Sequence, residues 1–288
     1  MPFAVDSTNL TVIMPIHNDE EAAVINFLQY FSQILNDSKS HERLGFLFTR
    51  VVTNDEDAAY GDRWFDNIRQ QFNEIHSSRS NLTAEFHTVR LPSNSWPRFA
   101  EGSFILDFYE KKLHRNEVIF LTTSVTQIDI DFFNRCRLNV IENTQIFSPV
   151  AFQKYHPKVL ELNKIDEPKH ATLHKFYGWF NAFAFDQIGL YMSDYIKLKE
   201  NLVRANVSVS SKNLYDLFIE WTDLHMLRAP DQSLRVQYQS LECDSLKQIS
   251  SIEYHRCLIQ MEMGLGSRTQ LASTIIEHEK KTNQKENV

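Results

Sequence analysis

Long apolar runs are missing from this sequence. No stretch of about 18 apolar residues occurs, so no segment reads as a membrane-spanning helix. Glycine is scarce, with seven in 288 residues, which leaves few places built for close backbone approach to a ligand. Cysteine is scarce too. Cys136, Cys243 and Cys257 show no CxxC spacing, which argues against a zinc site, and an odd count leaves one thiol free if two pair. An excess of basic charge is also lacking. Thirty Lys and Arg stand against 37 Asp and Glu, for a net charge of −7. That balance excludes a nucleic-acid backbone as the main partner. Residues Met1–Asn9 have neither the basic start nor the apolar core of a secretory leader.

What is present is ordinary for a globular protein: 42% hydrophobic and 23% charged residues. A chain of this length buries enough surface to need no staples. It reads as a single domain over residues 1–280, with a disordered charged tail at 281–288. Four N-x-S/T sequons occur, at Asn9, Asn36, Asn81 and Asn206, and hint only faintly at a secretory lumen.

Strand and helix signals alternate. Leu10–Ile16 is apolar and predicts a buried strand that ends at a turn, His17–Asn18. Asn18 or Asp19 would cap the next helix, whose core stripe is expected at Ala22, Ile25, Leu28, Phe31 and Leu35. Further strands are expected at Leu44–Thr53, Ala84–Leu91 and Glu117–Thr122. Helices are expected at Arg63–Ile75 and, after Pro97, at Arg98–Leu113. This order predicts a mainly parallel sheet covered on both faces. The second half is less regular. Strands are expected at Gln145–Phe152 and Ser233–Gln239, and helices at Tyr215–Met226, Ile252–Met263 and Thr269–Lys280.

Four strings carry a resemblance. Asp131–Asn139 reads DFFNRCRLN and follows the strand VIFL at Val118–Leu121. Ser95–Gly102 reads SWPRFAEG, Gly178–Asp194 reads GWFNAFAFDQIGLYMSD, and Tyr254–Ala272 reads YHRCLIQMEMGLGSRTQLA. In this order, from about Thr11 to Ala272, they resemble the nucleotide-sugar transferase domain of the family of chondroitin synthases, chondroitin polymerising factor and chondroitin N-acetylgalactosaminyltransferases. The resemblance implies a GT-A-like α/β fold, with a mainly parallel nucleotide-binding half and a mixed acceptor-side half. It also implies a Golgi setting. Since the family is usually tethered by an N-terminal membrane helix, this chain is expected to be a fragment of a larger protein or a short soluble relative.

Such a transferase needs a divalent cation held by hard oxygen ligands, a general base for the acceptor hydroxyl, and basic or backbone groups around the nucleotide. Measured from NRCRLN, the family's Asp-Val-Asp metal triplet falls on Thr123, Ser124 and Val125, none of them a carboxylate. Asp129-Ile130-Asp131 spells DxD but lies too late in the chain, and Asp131 is expected to be a helix N-cap. The family's acidic motif Trp-Gly-x-Glu-Asp-x-Asp-Leu-Phe corresponds to SSKNLYDLF at Ser210–Phe218. Its Glu-Asp pair is replaced by Asn213 and Leu214. Asp216 survives as a weak candidate base, with a helix start as the blander role. A metal-site histidine would fall in Val236–Gln239, VQYQ, which contains no imidazole.

Nucleotide-binding candidates are Arg98, His17 and Asn18. For each, a plain surface or helix-start role competes. Trp179, Phe180, Phe183 and Phe185 could stack on a sugar, though aromatics in such a stretch more often serve the core. His174 and His255 have no spaced partner and take no metal role. Cys136 is expected to be a buried apolar residue. Cys243 and Cys257 could pair in an oxidising lumen. The resulting expectation is a transferase-like domain that has lost its metal and base, needs no cofactor, and works as a partner of an active chondroitin synthase. The alternative is an active hexosyltransferase using manganese and a UDP-sugar. A third possibility, a module that binds the glycosaminoglycan chain, meets the obstacle of like charge.

Overall fold

The computed structural model describes residues 10–17, 20–37, 44–52, 62–76, 82–91, 101–123, 126–154, 178–180, 185, 187–210 and 212–236. Contacts divide the chain into two compact units. The first comprises Met1–Val150 and Ala184–Leu234, the second Ala151–Phe183 and Arg235–Val288. The expected helices at Ile252–Met263 and Thr269–Lys280 lie outside the described residues.

Strands and helices alternate along the chain. The elements are β1 (Leu10–Ile16), α1 (Glu21–Asp37), β2 (Leu44–Val52), α2 (Asp62–His76), β3 (Leu82–Arg90), α3 (Glu101–Tyr109) and β4 (Val118–Leu121). They continue with β5 (Thr126–Ile128), α4 (Ile130–Asn139) and β6 (Gln145–Lys154), then β7 (Gly178–Phe180) and β8 (Ile188–Tyr191). The last are α5 (Met192–Arg204), α6 (Leu214–Trp221) and β9 (His225–Val236). Strand order is β3-β2-β1-β4-β8-β6-β9-β5. The strands β3, β2, β1 and β4 run parallel, with Val12 registered between Phe46 and Phe120. β8 turns the direction, pairing antiparallel with both β4 and β6. Both the parallel half and the mixed half are therefore present. In the second unit, the end of β6 pairs antiparallel with β7.

Side-chain alternation along β2 sorts the core into two layers. Phe46 and Phe48 face one way, against Phe27 and Phe31 of α1, Phe72 of α2 and Phe133 of α4. Leu47 and Val51 face the other way, into a cluster with Ile13, Ile119, Leu121, Ile105 of α3, Leu198 of α5 and Leu217 of α6. Thr49 lies on that second face, where its hydroxyl meets the Tyr109 hydroxyl at 2.7 Å in a buried contact. Helices thus cover both faces, and each buried Phe or Leu contributes about 1.5–3 kcal/mol.

Several local expectations need correction. The buried stripe of α1 is Ala23, Val24, Phe27, Leu28 and Phe31, whereas Ala22 is exposed and Ile25 half-buried. The helix is rotated from the expected stripe because aromatics of β2 draw Phe27 and Phe31 inward together. The helix expected at Tyr215–Met226 stops at Trp221. There the Thr222 hydroxyl donates to the Phe218 carbonyl at 2.7 Å and its backbone is extended. β9 begins at His225, well before the expected Ser233. α3 ends at Tyr109, short of Leu113.

Candidate functional site

The carboxyl edge of the parallel strands carries two of the candidate positions, His17 and Thr123. β1 ends at Ile16, and His17 follows it. The His17 amide donates to Glu20 Oε2 at 2.8 Å, and the Glu20 amide donates back to the His17 carbonyl at 3.0 Å. This reciprocal pair resembles a capping box and fixes the turn into α1. On the side-chain side, His17 Nε2 lies 3.1 Å from the carboxylate of Glu101, the first residue of α3, which is 6% exposed. The pair was not foreseen. Its signal was available, because Glu101 lies within SWPRFAEG and is an acid opening an otherwise apolar helix.

β4 ends beside this pair. The Thr122 amide donates to the Ile13 carbonyl at 3.0 Å, which sets the edge of β4 against β1. Thr123 follows, and its hydroxyl lies 3.0 Å from that of Thr126, which also accepts from Gln187 Nε2 at 2.7 Å. Thr122, Thr126 and Gln187 are all buried. The metal-triplet position described by the structure is therefore engaged in a chain of neutral hydrogen bonds. Ser124 and Val125 lie outside the described residues. Neutral hydroxyls and an amide do not fit a divalent cation, whose affinity comes from carboxylate charge. Among the described residues, no three His, Cys, Asp or Glu side chains group as metal ligands do.

The start of α6 approaches the same edge. A Cβ at Gly102 would meet Leu121 Cδ2 at 2.8 Å and Leu214 Cδ2 at 4.0 Å, so Leu214 packs where α3 begins and β4 ends. Leu214 is buried. Asn213 is the N-cap of α6: its Oδ1 accepts from the Asp216 amide at 2.8 Å, and its Nδ2 donates to Asp216 Oδ2 at 2.7 Å. The structure thus gathers His17, Glu101, Thr122, Thr123 and Leu214 at one edge. Asp216 is bound into the first turn of its helix.

Other candidates fall elsewhere. Asp129, and not Asp131, occupies the N-cap position of α4. Asp131 is exposed in the first turn, because the helix starts two residues earlier than an Asp131 cap would set it. Asp129 accepts from the Tyr30 hydroxyl. Val236 is the half-buried last residue of β9. Trp179 is half-buried and Phe180 exposed, so neither is a fully buried core residue. Phe185 packs against Tyr215 in a tilted pair with centroids 4.7 Å apart. The Arg228 guanidinium lies 4.4 Å from the Phe185 ring and donates to Ser148 Oγ at 2.7 Å. Cys136 is fully buried, and burial pushes its thiol well above the ordinary range. Asn18, Arg98, His174, Phe183, Cys243 and His255 lie outside the described residues.

The chain is 28% identical over 284 residues to mouse chondroitin sulfate synthase 2, covering 97% of this chain and 35% of that protein. It is 24% identical to human chondroitin sulfate glucuronyltransferase, covering 97% of this chain and 37% of that protein. Mouse chondroitin sulfate N-acetylgalactosaminyltransferase 1 is 25% identical over 63% of this chain and 32% of its own length. The chain therefore spans about a third of the length of these curated relatives. Among solved structures, the galactosyltransferase LgtC with donor and acceptor sugar analogues superposes at a TM-score of 0.41 and 7% identity, covering 90% of this chain and 99% of that one. Mouse xyloside xylosyltransferase 1 superposes at 0.39 and 11% identity, over 76% and 85%. The model of the chondroitin N-acetylgalactosaminyltransferase family matches residues 1–271, and the chain belongs to that family.

Proposed function

We propose that this chain is a catalytically impaired transferase domain that acts as a partner, or polymerising factor, for an active chondroitin synthase in the Golgi. The observation that carries this reading is the chemistry at the sheet edge. Thr123, which the family register aligns with the metal triplet, engages Thr126, and Leu214, which the register aligns with the acidic pair, is buried. A methyl-bearing hydroxyl cannot neutralise a diphosphate, and an isobutyl group cannot accept a proton. In the same place, Asp216 is held by its N-cap, Asn213.

A second reading, an active hexosyltransferase that transfers N-acetylgalactosamine or glucuronic acid from a UDP-sugar, draws on the His17–Glu101 pair. That reading would use the buried Glu101 carboxylate, 3.1 Å from the His17 imidazole at the carboxyl edge of the parallel strands, as a proton-handling pair. Calorimetric titration of the full chain with UDP, with and without manganese, separates the two. The impaired reading expects no manganese-dependent heat. Binding at micromolar affinity that requires manganese would sink it and favour the active enzyme.

A further inference from the structure

Asn206 closes α5. The Asn206 amide donates to the Val203 carbonyl at 3.1 Å and the Val207 amide to the Leu202 carbonyl at 2.9 Å. Asn206 itself adopts φ 55, the left-handed conformation that ends many helices and that asparagine tolerates better than most residues. The next residues alternate. Val207 and Val209 pack against the core cluster of α3, α5 and α6, whereas Asn206 and Ser208 are exposed. The half-buried valines pin the segment, so the residues flanking Val207 are turned toward solvent together. Among the described residues, the Asn206 carboxamide has no hydrogen-bond partner. The Ser208 hydroxyl lies outside the core, 2.8 Å from that of Ser210.

Asn206-Val207-Ser208 has the composition of an N-glycosylation acceptor, with a middle residue other than proline. The fold adds what the tripeptide alone does not supply. The amide and the hydroxyl are both accessible on a turn, and the intervening side chain is the one that points inward. A glycan on Asn206 would project into solvent without displacing any packed group. The Asn9 sequon differs, since its Thr11 hydroxyl is buried in β1 and donates to Glu117.

We infer that Asn206 is an N-glycan attachment site, accepting an N-acetylhexosamine-rooted oligosaccharide. The inference rests on the luminal setting proposed above. In the transfer, Asn206 Nδ2 bonds to the anomeric carbon of a lipid-diphosphate-linked oligosaccharide. The anomeric carbon–oxygen bond breaks, the lipid diphosphate leaves with the bonding pair, and the amide gives up one proton to solvent.

The test uses the full chain carried into the secretory lumen of cultured eukaryotic cells by a cleavable leader. Enzymatic release of N-glycans in heavy-oxygen water converts each occupied asparagine to labelled aspartate, which peptide mass spectrometry locates. Most copies of Asn206 should carry the label. Ser208→Ala should abolish it and Ser208→Thr should keep it. Both variants alter an exposed side chain, so secretion of folded protein should continue. Folded, secreted chain with unlabelled Asn206 overturns the assignment, as does label that persists in Ser208→Ala. Fractionation of the native protein from the cells that make it tests the luminal setting separately. Recovery outside the lumen, with Asn206 labelled in the leader-bearing chain, would sink that setting and leave the acceptor assignment standing.

Discussion

Arg135 and Cys136 are neighbours in the string NRCRLN and serve opposite surroundings. Arg135 Nε and Nη2 donate to Asp231 Oδ2 and Oδ1 at 3.0 and 2.9 Å, a fork that ties α4 to β9 and holds the Asp231 carboxylate, 5% exposed, against a matching cation. Cys136 faces the core on the other side, beneath Gly189 of β8. A Cβ at Gly189 would stand 2.9 Å from Cys136 Sγ and 3.1 Å from Val140 Cγ2. In this chain the string is a structural seam, with one tight fit on each side. Gly189→Ala should destabilise the fold by about 1–3 kcal/mol, because all three groups are buried and have little room to yield. In a Cys136→Ala background the sulfur is gone and the penalty should shrink. A double-mutant cycle by urea unfolding checks this. Simple additivity would mean that the added methyl does not meet the sulfur.

At the scale of elements, α5 and the turn between α4 and β6 are joined by Asp194. Its carboxylate is fully buried and accepts from the Asn143 amide at 3.0 Å, where Asn143 has φ 59. Burial pushes the Asp194 carboxyl up to about 6, and Glu142 adds to the rise. The Asn143 bond, Lys197 and the Tyr191 backbone oppose it. The native state therefore holds the proton more tightly than the unfolded chain, whose carboxyl titrates near 4. The stability this group contributes is complete below about pH 4 and is lost as pH rises through about 6. Asp194→Asn removes the titration while Oδ1 still accepts from Asn143. Thermal melts should place the variant close to the parent at pH 4, and at or above it at pH 7. A gap that stays constant across that range would rule out the buried carboxyl as its source.

Much of this element layout is legible in the sequence. The runs at Leu10–Ile16 and Val118–Leu121 announce themselves because central parallel strands are apolar on both faces. β9 was harder to see. Its first six residues, His225–Pro230, are half-buried or exposed and carry no alternation, so pairing with neighbours defines the strand and its own pattern does not. The end of α6 was hidden because Leu224 and Met226 continue an apolar spacing past the Thr222 cap. At the site, the missing acids were visible once NRCRLN fixed the register. The His17–Glu101 contact and the Thr123–Thr126–Gln187 chain were not. Each joins residues 61 to 84 positions apart, or relies on a neutral side chain that no motif marks.

On the scale of the whole molecule, the deciding quantity is net charge. Seven more acids than bases gives −7, and chondroitin is a polyanion, so the far field opposes their approach. At about 0.15 M salt, screening shortens that field to about 8 Å, and any retained affinity must come from a local cationic patch. Among the described residues, several cations near the sheet are already engaged: Arg135 with Asp231, and Lys199 with Asp107 and Glu110 at 2.8 and 2.6 Å. Arg228 leans on Phe185 and donates to Ser148. A column of immobilised chondroitin at about 0.15 M salt should therefore let the chain pass unretained. Lowering the salt should not reverse this, because weaker screening lengthens the repulsion as much as any attraction. Retention that falls as salt is raised would show the opposite, a cation patch strong enough to overcome the net charge. It would favour a binder of the polymer over the proposed partner role.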